Sequence, residues 1–230
     1  EDASRLARLK LLRFVGSQVI TNPSHTAFKV DDLDSSTVED LLRVHSLQEV
    51  VKGATVAFRH DVLRDWTVGF LLHENADLLT SLPTDQPLSQ GLGRGLEITA
   101  RLALDADGEG KRWLNLLNAV DCESCHGSWK RPILLALPRS EHALTHLNEL
   151  KAVLLENSGR RLGDLLRLMI AVESIPLAKA ISRIQPTIPV PAGVDDLILP
   201  KGMGWMWLVI LLVAEASALP AELIPDVARV

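Results

Sequence analysis

Hydrophobic residues along this chain recur at two spacings, and each change of spacing marks the start of a new element. Over residues 4–19, Leu9, Leu12, Val15 and Val19 form a stripe with Leu11 beside it, and Arg5, Arg8, Lys10 and Arg13 carry the charge. That pattern predicts an amphipathic helix, stopped by Asn22-Pro23-Ser24. Residues 27–30 read as a short extended piece. Residues 38–44 read as a short helix whose early acids, Glu39 and Asp40, suit the helix dipole. Residues 47–51 and 55–59 are β-like runs around Lys52-Gly53-Ala54, a hairpin signal.

At His60-Asp61 the period changes again. Val62, Leu63, Trp66, Phe70 and Leu71 recur at three- and four-residue spacing, predicting one apolar face on a helix running to about residue 79. Asp61 is expected as its N-cap or first-turn acid. Beyond Leu82-Pro83 the chain reads as a series of helices broken by Gly, Pro or Asp. They are expected over residues 95–104, 111–120, 129–140, 141–157, 161–174, 176–184 and 205–218, with a proline-rich loop over 185–200. Helices followed by a hairpin imply a small winged-helix domain over residues 1–60. Paired helices with short links imply an irregular α-helical, HEAT- or TPR-like array over residues 61–230. The class is mainly α.

The apolar run 203–214 changes this picture little. It is 12 residues long, whereas a membrane-spanning helix needs about 20. Glu215 ends it and Pro220 and Pro225 follow, so a buried helix is expected and no membrane partner. Of the 230 residues, 47% are hydrophobic, enough for a substantial core. A net charge of −5 leaves no basic footprint for nucleic acid. Five Trp, four Phe and no Tyr are too few for a base-stacking platform. The chain opens Glu1-Asp2-Ala3 without methionine and shows no secretory signal, so a segment of a longer, cytoplasmic protein is expected.

The stretch from Phe58 to Asp65, Phe-Arg-His-Asp-Val-Leu-Arg-Asp, resembles the Met-His-Asp segment in the winged-helix part of STAND signalling ATPases, the class containing NACHT and NB-ARC proteins. Arg59 stands where Met is usual. The stretches 127–141 and 219–226 look similar to the helical region that follows the ATPase module in large bacterial STAND proteins, thought to sense invaders or stress. The resemblance implies that His60, supported by Asp61, touches the β-phosphate of bound ADP and keeps a switch off. It implies that ADP or ATP arrives through an ATPase module upstream of Glu1, and that the helical array binds a protein or other ligand. The chain itself is then expected to carry no catalysis and no cofactor or metal of its own.

Other motifs keep other readings open. Cys122-Glu123-Ser124-Cys125-His126 has the Cys-x-x-Cys-His form of covalent c-type haem attachment, and uses both cysteines of the chain. The same pair could act in redox chemistry, or hold half a zinc site completed by His126 and by His142 or His146. His142 and His146 lie four apart on one predicted helix and are expected as surface histidines. Gly91-Leu92-Gly93-Arg94-Gly95 lacks the lysine and the preceding strand of a phosphate loop, and is expected as a helix-initiating loop. No serine sits in a nucleophile elbow. A haem or redox protein, a DNA-binding winged-helix regulator and a plain helical-repeat scaffold are the alternatives to the STAND segment.

Overall fold

The computed structural model describes residues 2–23, 26–184 and 197–228, and the protein is mainly helical. Helix α1 (Asp2–Thr21) buries Leu11, Val15, Val19 and Ile20 and leaves Leu9 exposed. Strand β1 (Phe28–Lys29) precedes α2 (Ser35–Arg43). The Asp34 carboxylate caps α2 by accepting the Thr37 N–H at 2.8 Å, and the amphipathic helix buries Thr37, Val38 and Leu41.

The hairpin forms where the alternation placed it. Strand β2 (Leu47–Val51) and β3 (Thr55–Phe58) pair antiparallel, and β1 joins the other edge of β3, giving the order β1-β3-β2. The turn passes through Gly53 at φ +68°, a backbone angle that glycine adopts without strain. Leu47, Val56 and Phe28 are buried, and the Phe28 and Phe58 rings meet edge to face at 6.4 Å.

Helix α3 (Asp61–Glu74) is where the structure departs most from the pattern. Its buried residues are Val68, Gly69, Leu71 and Leu72; Val62, Trp66 and Phe70 face solvent, with Leu63 partly exposed. The apolar face drawn from spacing therefore turns mostly outward. The reason lies across the interface, on α5 (Gln90–Ala106). A Cβ on Gly69 would sit 2.6 Å from Ile98 Cγ2 and 3.0 Å from the Gly95 carbonyl oxygen; one on Gly95 would sit 2.5 Å from Val68 Cγ1. Two glycines let these backbones approach to a distance that a large-residue face does not permit. Thr99 Oγ1 completes the contact by donating to the carbonyls of Gly69 (3.1 Å) and Gly95 (2.9 Å). The helix also ends earlier than expected. Asn75 leaves helical geometry, and a separate turn, α4 (Asp77–Thr80), follows.

The Gly91–Gly95 stretch lies within α5 and is no loop. A Cβ on Gly91 would meet the Pro23 carbonyl oxygen at 2.9 Å and one on Gly95 would meet Val68, whereas one on Gly93 would come no nearer than 3.9 Å to Leu88. Helix α6 (Lys111–Val120) packs against α5 through its apolar face. There the fully buried Trp113 donates its indole N–H to the Ile133 carbonyl at 2.9 Å.

Contacts divide the chain into two compact units, one of residues 1–106 and 111–133, the other of 107–110 and 134–230. The turn at residue 60 falls inside the first unit. Helix α7 (Lys130–Arg139) begins in the first and ends in the second. In the second unit, α8 (Ala143–Glu149) adjoins α9 (Lys151–Val172), which is broken at residues 156–159. Asn157, Ser158 and Gly159 are all left-handed there, and a Cβ on Gly159 would strike Leu223. Strand β4 (Ser174–Pro176) takes up the first residue expected in the next helix, so α10 spans Leu177–Ile184. It pairs with β5 (Ile198–Pro200), a strand inside the expected loop; residues 185–196 of that loop lie outside the described residues.

Helix α11 (Gly204–Ala214) is only half covered, contrary to the expectation of burial. Trp205, Leu208, Leu211 and Leu212 are buried against the unit, whereas Met206, Val209, Ile210 and Val213 are exposed. Glu173 anchors this region. Its carboxylate pairs with Arg139, and its carbonyl accepts the Trp205 indole N–H at 3.0 Å and the Lys201 N–H at 2.8 Å. The short α12 (Ile224–Val227) follows. Among the described residues, no helix is long and apolar enough to cross a membrane.

The α3–α5 contact predicts opposite signs for two similar substitutions. Gly69→Ala gains about 1 kcal/mol of helix propensity, but the added methyl meets Ile98 and a backbone oxygen. With overpacking typically costing 1–3 kcal/mol, the net loss is expected at about 1 kcal/mol. Gly93→Ala has open space and should stabilise by up to about 1 kcal/mol. Urea unfolding of both variants checks this.

Candidate functional site

The corner at His60 is built by the hairpin and α3 together. Strand β3 ends at Phe58, the Arg59 N–H donates to the Ser46 carbonyl at 3.1 Å, and His60 follows as the N-cap residue of α3 in extended geometry. His60 is exposed, and its side chain makes no capping hydrogen bond. Asp61 occupies the first turn, where its charge suits the helix dipole, and it does not cap. It instead pairs with Arg64 at 3.1 Å; Arg64 also holds Asp65 at 3.0 Å. Arg59, on the other side of His60, lies 2.9 Å from His45 Nδ1. Arg59 and His60 thus enter α3 in succession, with His45 against Arg59, at a helix N-terminus lacking a side-chain cap. Next to them lie the exposed Val62, Trp66 and Phe70, the two rings 6.4 Å apart. A helix N-terminus flanked by Arg and His has the donors and charge that an anionic group requires.

The second motif takes a definite form. Cys122 and Cys125 are bonded to each other as a disulfide, just past the end of α6. The bridge spans a sequence separation of 3. A ring that small removes only about 2 kcal/mol of chain entropy from the unfolded state. The surrounding loop is held by other means. The His126 N–H donates to the Thr84 carbonyl at 2.7 Å, the Leu88 N–H donates to Ser128 Oγ at 2.8 Å, and the Trp129 indole donates to the Gln86 carbonyl at 2.8 Å. His126 Nδ1 lies 2.8 Å from Ser128 Oγ.

The other histidines sit differently. His142 precedes α8 and is exposed; His146 is buried, which corrects the expectation of a surface residue. Their rings meet edge to face at 6.2 Å, and His146 Nδ1 lies 3.4 Å from Glu149. Among the described residues, no three His, Cys, Asp or Glu side chains converge as a metal-ligand set.

Two cavities in the first unit have no counterpart in the sequence reading. One, of about 360 Å³, is lined by Ile20, Leu82, Pro83, Pro87, Leu92 and Trp129 among others. The other, of about 410 Å³, is lined by His73, Glu74, Asp77, Thr99, Arg112 and Asn115 among others. Its polar residues come from four separate helices, α3, α4, α5 and α6, so no local motif announces it. Burial and the nearby Arg112 charge push the His73 pKa below its usual value of 6.5, against a smaller opposing pull from Glu74.

No protein-family model and no curated protein matches this chain.

His73 makes a pH prediction with a definite sign. Because its folded pKa is depressed, the unfolded chain binds a proton more readily. The folded state therefore keeps its full advantage above pH 6.5 and loses it as pH falls from there toward the lower folded value. Replacing His73 with Gln should flatten the slope of unfolding free energy across that range, read by denaturant titrations at several pH values.

Proposed function

We propose that this chain is the regulatory segment of a STAND-type signalling NTPase, in which a winged-helix element gates a nucleotide-dependent switch. The observation that carries the reading is the corner itself. A hairpin delivers His60, exposed and uncommitted to capping, to the N-terminus of α3, and Arg59 and Arg64 flank it. In the proposed off state His60 donates to the β-phosphate of ADP held by an upstream ATPase module. That module rests on the apolar residues Val62, Trp66 and Phe70 beside the corner, which is a reason for them to face outward. A protein or other ligand engaging the helical region, where α11 presents Met206, Val209 and Ile210, favours the state in which this contact is broken. Such a ligand moves the equilibrium only by its differential affinity for the two states. The chain supplies the switch and the surface for its input; hydrolysis belongs to the module.

Two measurements follow. The chain alone should show no ATP turnover. In the protein that includes the ATPase module, His60→Ala removes one charge-assisted hydrogen bond, worth about 1.5–3 kcal/mol. ADP retained through purification should fall by roughly ten- to a hundredfold in affinity, with thermal melting nearly unchanged because His60 is exposed and does not cap α3. Asp61→Ala should leave ADP retention intact and cost about 0.5 kcal/mol through the lost first-turn charge and its Arg64 pair. ADP retention by His60→Ala equal to the parent's would leave His60 as a plain helix start.

A further inference from the structure

We propose that Cys122–Cys125 is a thiol–disulfide exchange site, attacked by small thiols at Cys122 with Cys125 as the leaving sulfur. The two sulfurs differ in access: Cys122 is exposed, whereas Cys125 is half-buried. They also differ in what their neighbours offer. The Thr84 hydroxyl lies 3.7 Å from Cys125 Sγ and can donate to the thiolate that forms there when the bridge opens. The Ala119 carbonyl, 3.9 Å away, can accept from the same sulfur once it is protonated. A released Cys125 thus starts with a donor and an acceptor beside it. Among the described residues, the hydrogen-bonding neighbour of Cys122 Sγ is the Ser124 hydroxyl of its own turn, at 3.4 Å.

The loop is also built to survive opening. The contacts of His126 with Thr84, Ser128 with Leu88 and Trp129 with Gln86 tie it to residues 84–88 independently of the sulfurs. The bridge joins no two elements, because both cysteines lie in one turn closed by the Cys125 N–H donating to the Cys122 carbonyl at 3.1 Å. A disulfide that holds nothing together, with one sulfur open to solvent, has the features of a labile rather than a structural bond.

The chemistry balances with thiols as the reductant. A thiolate forms a bond to Cys122 Sγ as the Cys122–Cys125 bond breaks, and Cys125 leaves as a thiolate that takes a proton from water. A second thiolate then attacks the external sulfur of the mixed disulfide and releases Cys122. Two thiols are oxidised to one disulfide and the protein pair gains two electrons and two protons. Oxidised glutathione reverses both steps.

The test uses the folded chain, with dithiothreitol and glutathione as probes. Under native conditions dithiothreitol should expose two alkylatable thiols per chain, and oxidised glutathione should remove them, with the thermal melt and far-ultraviolet spectrum of the reduced form close to those of the oxidised form. With oxidised glutathione, Cys125→Ser should accumulate the adduct on Cys122 at least tenfold faster than Cys122→Ser accumulates it on Cys125, by intact mass. A bridge that opens only in denaturant would overturn the proposal. So would equal or reversed rates in the two single variants, or a reduced form that takes up one zinc ion through both sulfurs. The double serine variant, which cannot react, controls for adducts elsewhere and should fold like the parent.

Discussion

The close approach of α3 and α5 at Gly69 and Gly95 is the contact on which the first unit depends. It fixes which face of α3 is buried, and hence which face looks outward beside His60. Because the side chains at the crossing point are single hydrogens, Val68 and Ile98 pass beside the opposite backbone, and the Thr99 hydroxyl satisfies carbonyls on both helices. The opposite edge of α3 meets α1 in a similar way, where a Cβ on Gly16 would collide with Thr67 and Leu71. α3 is therefore held on two sides by small-residue contacts. Its largest apolar residues, Trp66 and Phe70, find no place in either.

This explains what the sequence could and could not tell. Periodicity finds elements well when a stripe of large residues marks the buried side. So α2, α6 and the hairpin at Gly53 fall where their patterns place them, within a few residues. It fails for α3, because an apolar moment weights Trp and Phe over Gly and cannot see that glycine is the residue making the interface. It also fails for the α11 run. There every face is apolar and the pattern carries no direction, so only the packing of Trp205, Leu208 and Leu212 shows which half is covered. Strand β5 was hidden because Ile198–Pro200 is short and proline-bounded, and its partner β4 is equally short.

Among the candidate site residues, the His60 corner was the most legible, since a hairpin running into a helix is a local event. Asp61 was legible in kind but not in role, because one residue of shift separates a cap from a first-turn acid. The cavity beside His73 was illegible, since it draws on residues some forty positions apart, from His73 to Asn115, that meet only when α3, α4, α5 and α6 are assembled.

The two apolar surfaces left outside differ in what surrounds them, and that difference bears on their roles. On α3, the exposed rings lie on the helix that follows Arg59, paired with His45, and His60, so in the proposed switch a surface docking there would offer apolar and anionic character together. A nucleotide held at the edge of a folded module has that combination, which is why the switch reading draws on the rings as well as on His60. On α11, the exposed Met206, Val209, Ile210 and Val213 carry no charge, and the helix has none along its length. Binding to that face would be driven by area removed from water, with little electrostatic steering. Salt should therefore discriminate the two surfaces. Recognition at the α3 corner weakens as ionic strength rises, and recognition at α11 does not.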